Sequence, residues 1–280
     1  MMYRIEKVLN HNTVIAIHQD DHKEVLIMGK GVGFGRKVAE RIEVRPEDRL
    51  YSLQKYKERG GAKEIVKSIA PEFLEVTNAV LDEAEKIFGK IDRMVLFPLA
   101  DHIAFAVKRI QNHEQISNPL TEDIRVLFHM EFNAESIRPL LQKQFGIDIE
   151  DDEVGYVALH IHSAIEDEKV SQAMQMARSV RECISMVEEA IGKPIDIASL
   201  SYNRLMNHIR YMVARALSGE KLKVNMNDYM EVKFPESFGM AQAVCDQVGE
   251  SLGVKLEEVE TGYLAMHIER VANDEREIEE

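Results

Sequence analysis

This 280-residue chain repeats itself. Asp101 to Arg109 reads DHIAFAVKR and returns 106 positions later as Asn207 to Arg215, NHIRYMVAR. Gly155 to Ile161, GYVALHI, returns 107 positions later as Gly262 to Ile268, GYLAMHI. Each copy therefore carries two histidines: His102 and His160, 58 positions apart, in the first, and His208 and His267, 59 apart, in the second. A period of this size marks duplicated domains of about a hundred residues rather than short solenoid turns.

Length and a 45% hydrophobic content allow about two or three ordinary cores, and the repeat accounts for two. Cys183 and Cys245 stand alone, outside any paired motif, which argues against a disulfide scaffold and for a reducing, cytoplasmic setting. The start, MMYRIEK, lacks an apolar stretch behind a basic tip, and no uncharged run approaches the length of a membrane span, so secretion and membrane insertion are disfavoured. A net charge of −14 would disfavour nucleic acid if it were evenly spread. It is not: residues 1–55 hold ten Lys/Arg against eight Asp/Glu, and the acid excess lies in the remainder.

The chain opens with short apolar runs, Arg4 to Leu9, Thr13 to Ile17 and Glu24 to Met28, separated by polar turn formers, the pattern of an antiparallel meander. A sheet of this size buries little surface and needs a partner, most simply a second copy of itself. Gly29 to Gly35, GKGVGFG, admits three readings: a phosphate-cradling nucleotide loop, a glycine-bulged turn, or a surface where backbone approaches a ligand. In the last, Lys30, Arg36 and Lys37 would face phosphates and Phe34 would stack on a base. Residues 54–63 read as a linker. Helical periodicity then takes over, with helices interrupted near Pro71, a histidine helix from Leu96 to Ile110, others over Leu120 to Phe132 and Ala134 to Phe145, and one opening at Asp151 that carries His160. The second copy runs the same way from about Val170. The expected architecture is multidomain: a small, dimerising antiparallel β-sheet domain over residues 1–57, then two all-α helical bundles over 58–168 and 169–280.

Taken alone, a histidine beside apolar residues is usually a hydrogen-bonded residue at a core edge, but four at matched positions weaken that reading. His160 and His162 point to different faces of a helix, which disfavours zinc, and the chain has no nucleophile motif such as GxSxG. What is left is an imidazole nitrogen, nucleophilic near neutral pH, that accepts a phosphoryl group reversibly.

The motifs in their order, KVLN with Asn12, then MGKGVGF, DHIAF, NPL from Asn118, EVGYVALH from Glu153, Arg204-Leu205 with His208-Ile209, and GYL with His267, resemble the BglG/LicT/GlcT family of transcriptional antiterminators over essentially the whole chain. In that family an RNA-binding co-antiterminator domain precedes two phosphotransferase-system regulation domains. The resemblance implies a cytoplasmic homodimer that binds a hairpin in a leader mRNA through Asn10, Asn12, Gly29, Lys30, Gly31, Phe34 and Arg36 and so blocks a terminator. It also implies phosphorylation at His102, His160, His208 and His267 by the carrier protein HPr and a sugar-specific enzyme II, usually inhibitory in the first regulation domain and often activating in the second. No turnover reaction, catalytic residue, cofactor, metal, DNA contact or membrane insertion is implied.

Two departures stand out: Leu127-Phe128-His129 replaces a leucine, tyrosine, proline triplet, and Asn207 stands where the first copy has Asp101. Arg204, four residues before His208, is a candidate partner for phosphate on that ring, whereas Pro98 holds the equivalent place before His102. On this basis phosphate at His208 would tighten dimerisation and phosphate at His102 would disturb it. The competing expectation, a DNA-binding activator under the same phosphotransferase control, requires a helix-turn-helix at the start of the chain. A simple phosphocarrier would need one exposed histidine and no basic sheet.

Overall fold

Residues 2–53, 61–114, 116–133, 137–166, 169–196 and 199–277 are described by the computed structural model. Their N-terminal part is an antiparallel sheet of strands β1 (Met2–Asn10), β2 (Thr13–His18), β3 (Glu24–Met28), β4 (Arg41–Glu43) and β5 (Arg49–Ser52) in the order β4-β1-β2-β3-β5. The start of β1 alternates as a half-buried strand should, Tyr3 and Ile5 inward and Met2, Arg4 and Glu6 outward. Thr13 to Ala16 in the central strand are all buried because both faces are covered. One face packs Tyr3, Ile5, Val14, Ala16, Ile27 and Ile42 under Val32 of the glycine run. On the other, the Tyr51 ring meets the edge of Phe97 at 6.0 Å and its hydroxyl donates to Asn78 Oδ1 at 2.6 Å.

The three expected strands are present, and the segment is a sheet, not a helix-turn-helix. β4 and β5 were not foreseen. They are three and four residues long at the sheet's two edges, too short and too charged to leave a period in the sequence.

The helices are α1 (Ala62–Ser68), α2 (Pro71–Phe88), α3 (Leu96–Gln111), α4 (Thr121–Leu127), α5 (His129–Phe132), α6 (Ile137–Phe145), α7 (Asp151–Glu166), α8 (Val170–Ile191), α9 (Leu200–Ser218), α10 (Asn227–Lys233), α11 (Pro235–Leu252) and α12 (Val259–Glu277). Sequence signals fix their ends: Pro71 and Pro235 open α2 and α11, the Ser199 hydroxyl accepts from Tyr202 N to cap α9, and Gly219 and Gly253 stop α9 and α11 in the left-handed region. Two expectations need correction. α1 already begins at Ala62, inside the stretch read as a linker, whose residues 54–60 lie outside the described chain. The single helix expected over Leu120 to Phe132 is broken at Phe128, whose φ of −117° and ψ of 45° are not helical. The break falls on the Leu127-Phe128-His129 departure, where the buried Phe128 ring packs on His162 at 4.2 Å.

By internal packing the chain divides into two units, Met1–Thr121 with Phe128–Val170, and Glu122–Leu127 with Ser171–Glu280. In the first, Leu74 and Leu81 of α2 and Phe97, Leu99 and Ile103 of α3 are sealed from solvent. In the second, Ala173, Ala177, Val180, Ile184 and Val187 form the helically spaced buried stripe of α8, and Leu205, Ile209 and Met212 that of α9.

Candidate functional site

Two groups of sequence-predicted residues come together, the first around the glycine run. Strand β1 ends at Asn10, and β3 delivers the run to the same end of the sheet. Asn12 joins them: its Oδ1 accepts from Gly31 N at 2.8 Å, its carbonyl accepts from Gly29 N at 2.9 Å, and its own N–H donates to Asn10 Oδ1 at 2.9 Å. Gly31 has a φ of 72°, a left-handed conformation that a side chain would strain. At Gly33 a Cβ would lie 2.2 Å from the Asn10 carbonyl oxygen, so glycine is required there by close approach.

The run is followed by turns, not a helix, and so is not a nucleotide loop of the strand-glycine-helix kind. It displays Phe34, 68% exposed with its ring against the edge of His11 at 5.2 Å, beside the exposed Lys30, Arg36 and Lys37. Arg36 makes a solvent-exposed ion pair with Glu40 at 3.8 Å, too weak to hold the guanidinium back. Asn10 is engaged elsewhere, its amide donating to Glu75 Oε1 of α2 at 2.8 Å. All seven residues assigned to RNA contact thus share one end of the sheet.

The second group is the histidines. His102 on α3 and His160 on α7 lie with ring centroids 5.5 Å apart; His208 on α9 and His267 on α12 lie 4.7 Å apart and are stacked. A buried carboxylate serves each pair. Glu153 Oε1 accepts from Arg109 Nη2 at 2.6 Å, and its Oε2 lies 3.2 Å from His102 Nε2, off the line of a hydrogen bond. Glu260 accepts from Arg215 through both oxygens at 2.7 Å, leaving His208 Nε2 4.0 Å from Oε2. Tyr156 flanks His102 at 5.5 Å and Tyr263 flanks His208 at 6.2 Å.

Burial pushes His160 down to about 3, with the neighbouring His102 adding to it. Burial likewise pushes His208 down to about 3, helped by His267 and Arg215. His267 is lowered by burial, then by the charges of Arg270 and Arg204. Burial alone would raise the Glu153 carboxyl, but His102 and Arg109 together outweigh it and hold it below its ordinary value. The His160 and His208 rings are therefore enclosed and neutral at rest, and each pair has a buried glutamate beside its first ring.

Arg204 lies exposed on α9, where its charge helps to lower His267. His162 belongs to neither pair: its Nδ1 lies 2.8 Å from Glu131 Oε1. The sequence reading missed the two Arg–Glu pairs. Their signal was present, since Arg109 and Arg215 recur at the histidines' offset of 106 and Glu153 and Glu260 at 107.

Comparison with known proteins gives the following matches. Residues 3–60 match the CAT RNA binding domain, and residues 74–164 and 181–271 each match the PRD domain. The GlcA/glcB genes antiterminator of Staphylococcus carnosus (strain TM300) is 29% identical over 273 residues, covering 95% of this chain and 94% of that protein. The beta-glucoside operon antiterminator of Dickeya chrysanthemi is 23% identical, with 98% of each covered. Among solved structures, the crystal structure of GlcT CAT-PRDI superposes with a TM-score of 0.51 at 29% identity, covering 59% of this chain and 99% of that one.

Proposed function

The chain belongs to the family of transcriptional antiterminators that join a CAT RNA binding domain to two PRD domains under phosphotransferase control, and from that membership we propose how its switch is built. The sheet domain, residues 1–57, binds a leader-mRNA hairpin as a dimer through Asn10, Asn12, Gly29, Lys30, Gly31, Phe34 and Arg36 and keeps a terminator from forming. The regulation domains, residues 58–168 and 169–280, take phosphate from HPr and a sugar-specific enzyme II on His102, His160, His208 and His267, and this changes the dimer. The protein is a regulator and phosphoryl acceptor working in the cytoplasm, with no turnover reaction of its own.

The observation that carries this reading is the recurrence of one device in both PRD domains: two histidine rings within 5.5 Å, one beside a buried, arginine-held glutamate. A core histidine kept for packing needs neither a second ring nor a carboxylate. Charge offers support at the other end, because the sheet domain is the one segment without an acid excess, and phosphate neutralisation dominates affinity for nucleic acid.

The test is transfer of labelled phosphate from phospho-HPr to the full-length chain. Label should fall in each His→Ala variant of the four and vanish when all four are replaced. Label that survives the fourfold replacement would reject the site assignment.

A further inference from the structure

Each ring in these pairs has one nitrogen sealed in the protein and without a hydrogen-bond partner, and which nitrogen it is follows a rule. For His102 and His208 it is Nε2; for His160 and His267 it is Nδ1. The other nitrogens, Nδ1 of His102 and His208 and Nε2 of His160 and His267, are not enclosed in this way. Both domains keep the same alternation.

A neutral imidazole has one N–H and one lone pair, and the lone pair is the nucleophile. An ionised carboxylate only accepts, so a nitrogen that faces one bears the hydrogen. His102 Nε2 faces Glu153 Oε2 at 3.2 Å, and both atoms are enclosed with no hydrogen-bond partner. Arg109 holds the opposite oxygen and leaves Oε2 turned to the ring. A small ring rotation would align the pair. At His208 the geometry is the same but looser, 4.0 Å, because Arg215 spans both oxygens of Glu260.

Resting on the reading that these histidines accept phosphate, we infer that His102 and His208 take it on Nδ1, with Glu153 and Glu260 as positioning residues that keep the proton on Nε2, whereas His160 and His267 take it on Nε2. In the transfer, the N–P bond of a phosphohistidine on the donor protein breaks and its electron pair stays on the donor ring. The Nδ1 lone pair of His102 forms the new N–P bond. The Nε2 proton stays in place, and the positive charge the ring acquires faces the Glu153 carboxylate. Among the described residues no carboxylate faces the sealed nitrogen of His160 in this way, so its transfer is the slower of the pair.

The test uses the full-length chain labelled with ¹⁵N-histidine. In the unmodified wild type, long-range ¹H–¹⁵N spectra should show His102 as the Nε2–H tautomer; the Nδ1–H tautomer overturns the proposal. After phosphorylation by HPr, with enzyme I and phosphoenolpyruvate, His102 should carry Nδ1-phosphate and His160 Nε2-phosphate. Glu153→Gln removes the acceptor-only partner: transfer to His102 should slow on the order of tenfold, from the loss of the carboxylate charge that faces the ring, and Nε2-phosphate should appear there. Glu260→Gln should do the same to His208 more weakly. A purely structural glutamate would change the melting temperature and leave the isomer unchanged, which overturns the positioning role. Nε2-phosphate on wild-type His102 overturns the nitrogen assignment and leaves the regulatory reading standing; absence of phosphate from His102 overturns both.

Discussion

At Gly33 a single methyl group separates two explanations of the glycine run. If the glycines only loosened a loop, alanine would be tolerated at any of them. Instead a Cβ at Gly33 would meet the Asn10 carbonyl at 2.2 Å, whereas one at Gly31 would meet nothing and incur only the left-handed backbone cost. Gly33→Ala should therefore destabilise the sheet by about 2 kcal/mol through overpacking, and Gly31→Ala by about 1 kcal/mol, as measured by urea unfolding; equal effects would contradict the close approach. The histidines make a second prediction. His160 and His208 titrate near 3 in the folded chain against about 6.5 when free. Their neutral rings stabilise the fold above pH 6.5, and that contribution is lost as pH falls toward 3, because the unfolded chain binds the protons first. The urea midpoint should drop between pH 7 and pH 5, and His160→Gln should flatten the drop. At this scale the sequence was informative where a residue recurs or where glycine alternates. It could not say that Asn10 and Gly33 touch, because contacts between β1 and the glycine run depend on sheet register.

Among the elements, α3 with α7 and α9 with α12 are one device built twice. In each, an arginine on the first helix clamps a glutamate near the start of the second, Arg109 to Glu153 and Arg215 to Glu260. Removing the cation leaves a buried carboxylate unpaired, so Arg215→Ala should cost about 3 to 5 kcal/mol. Glu260 is 4% exposed, and Arg215 is its hydrogen-bond partner through both oxygens. A loss below 1 kcal/mol in thermal unfolding would place this pair with ordinary surface salt bridges. Helix existence was legible from period and from Pro71, Gly219 and Pro235. Breaks within apolar runs were not: the period of Leu120 to Phe132 carries no interruption, and only the Leu127-Phe128-His129 departure marks the place where Phe128 leaves the helix and packs on His162.

For the whole molecule, the question is how an acidic chain controls a domain that meets an anionic ligand. Within the first unit, the acidic side of α2 faces the end of the sheet proposed to contact RNA across a cleft of about 900 Å³, with Asn12, Gly29 and Lys30 on one wall and Glu75, Asp82 and Glu83 on the other. Glu75 already holds the Asn10 amide at 2.8 Å. Glu75→Ala in the full-length chain should raise hairpin affinity by about tenfold at low salt, the scale of one charge-assisted hydrogen bond plus a removed like charge; unchanged affinity would mean that this contact does not mask Asn10. The charge asymmetry behind this was readable from the sequence, but the meeting of Glu75 with Asn10, 65 positions apart, was not. The central claim is that phosphate on the histidine pairs governs RNA binding by the sheet. It is tested most directly by fluorescence anisotropy of a labelled leader hairpin titrated with full-length protein, before and after phosphorylation by HPr, in the wild type and with His102, His160, His208 and His267 all replaced by alanine. The wild-type affinity should change on phosphorylation and the fourfold variant should not respond; a wild type indifferent to phospho-HPr, or a variant that still responds, would contradict the account.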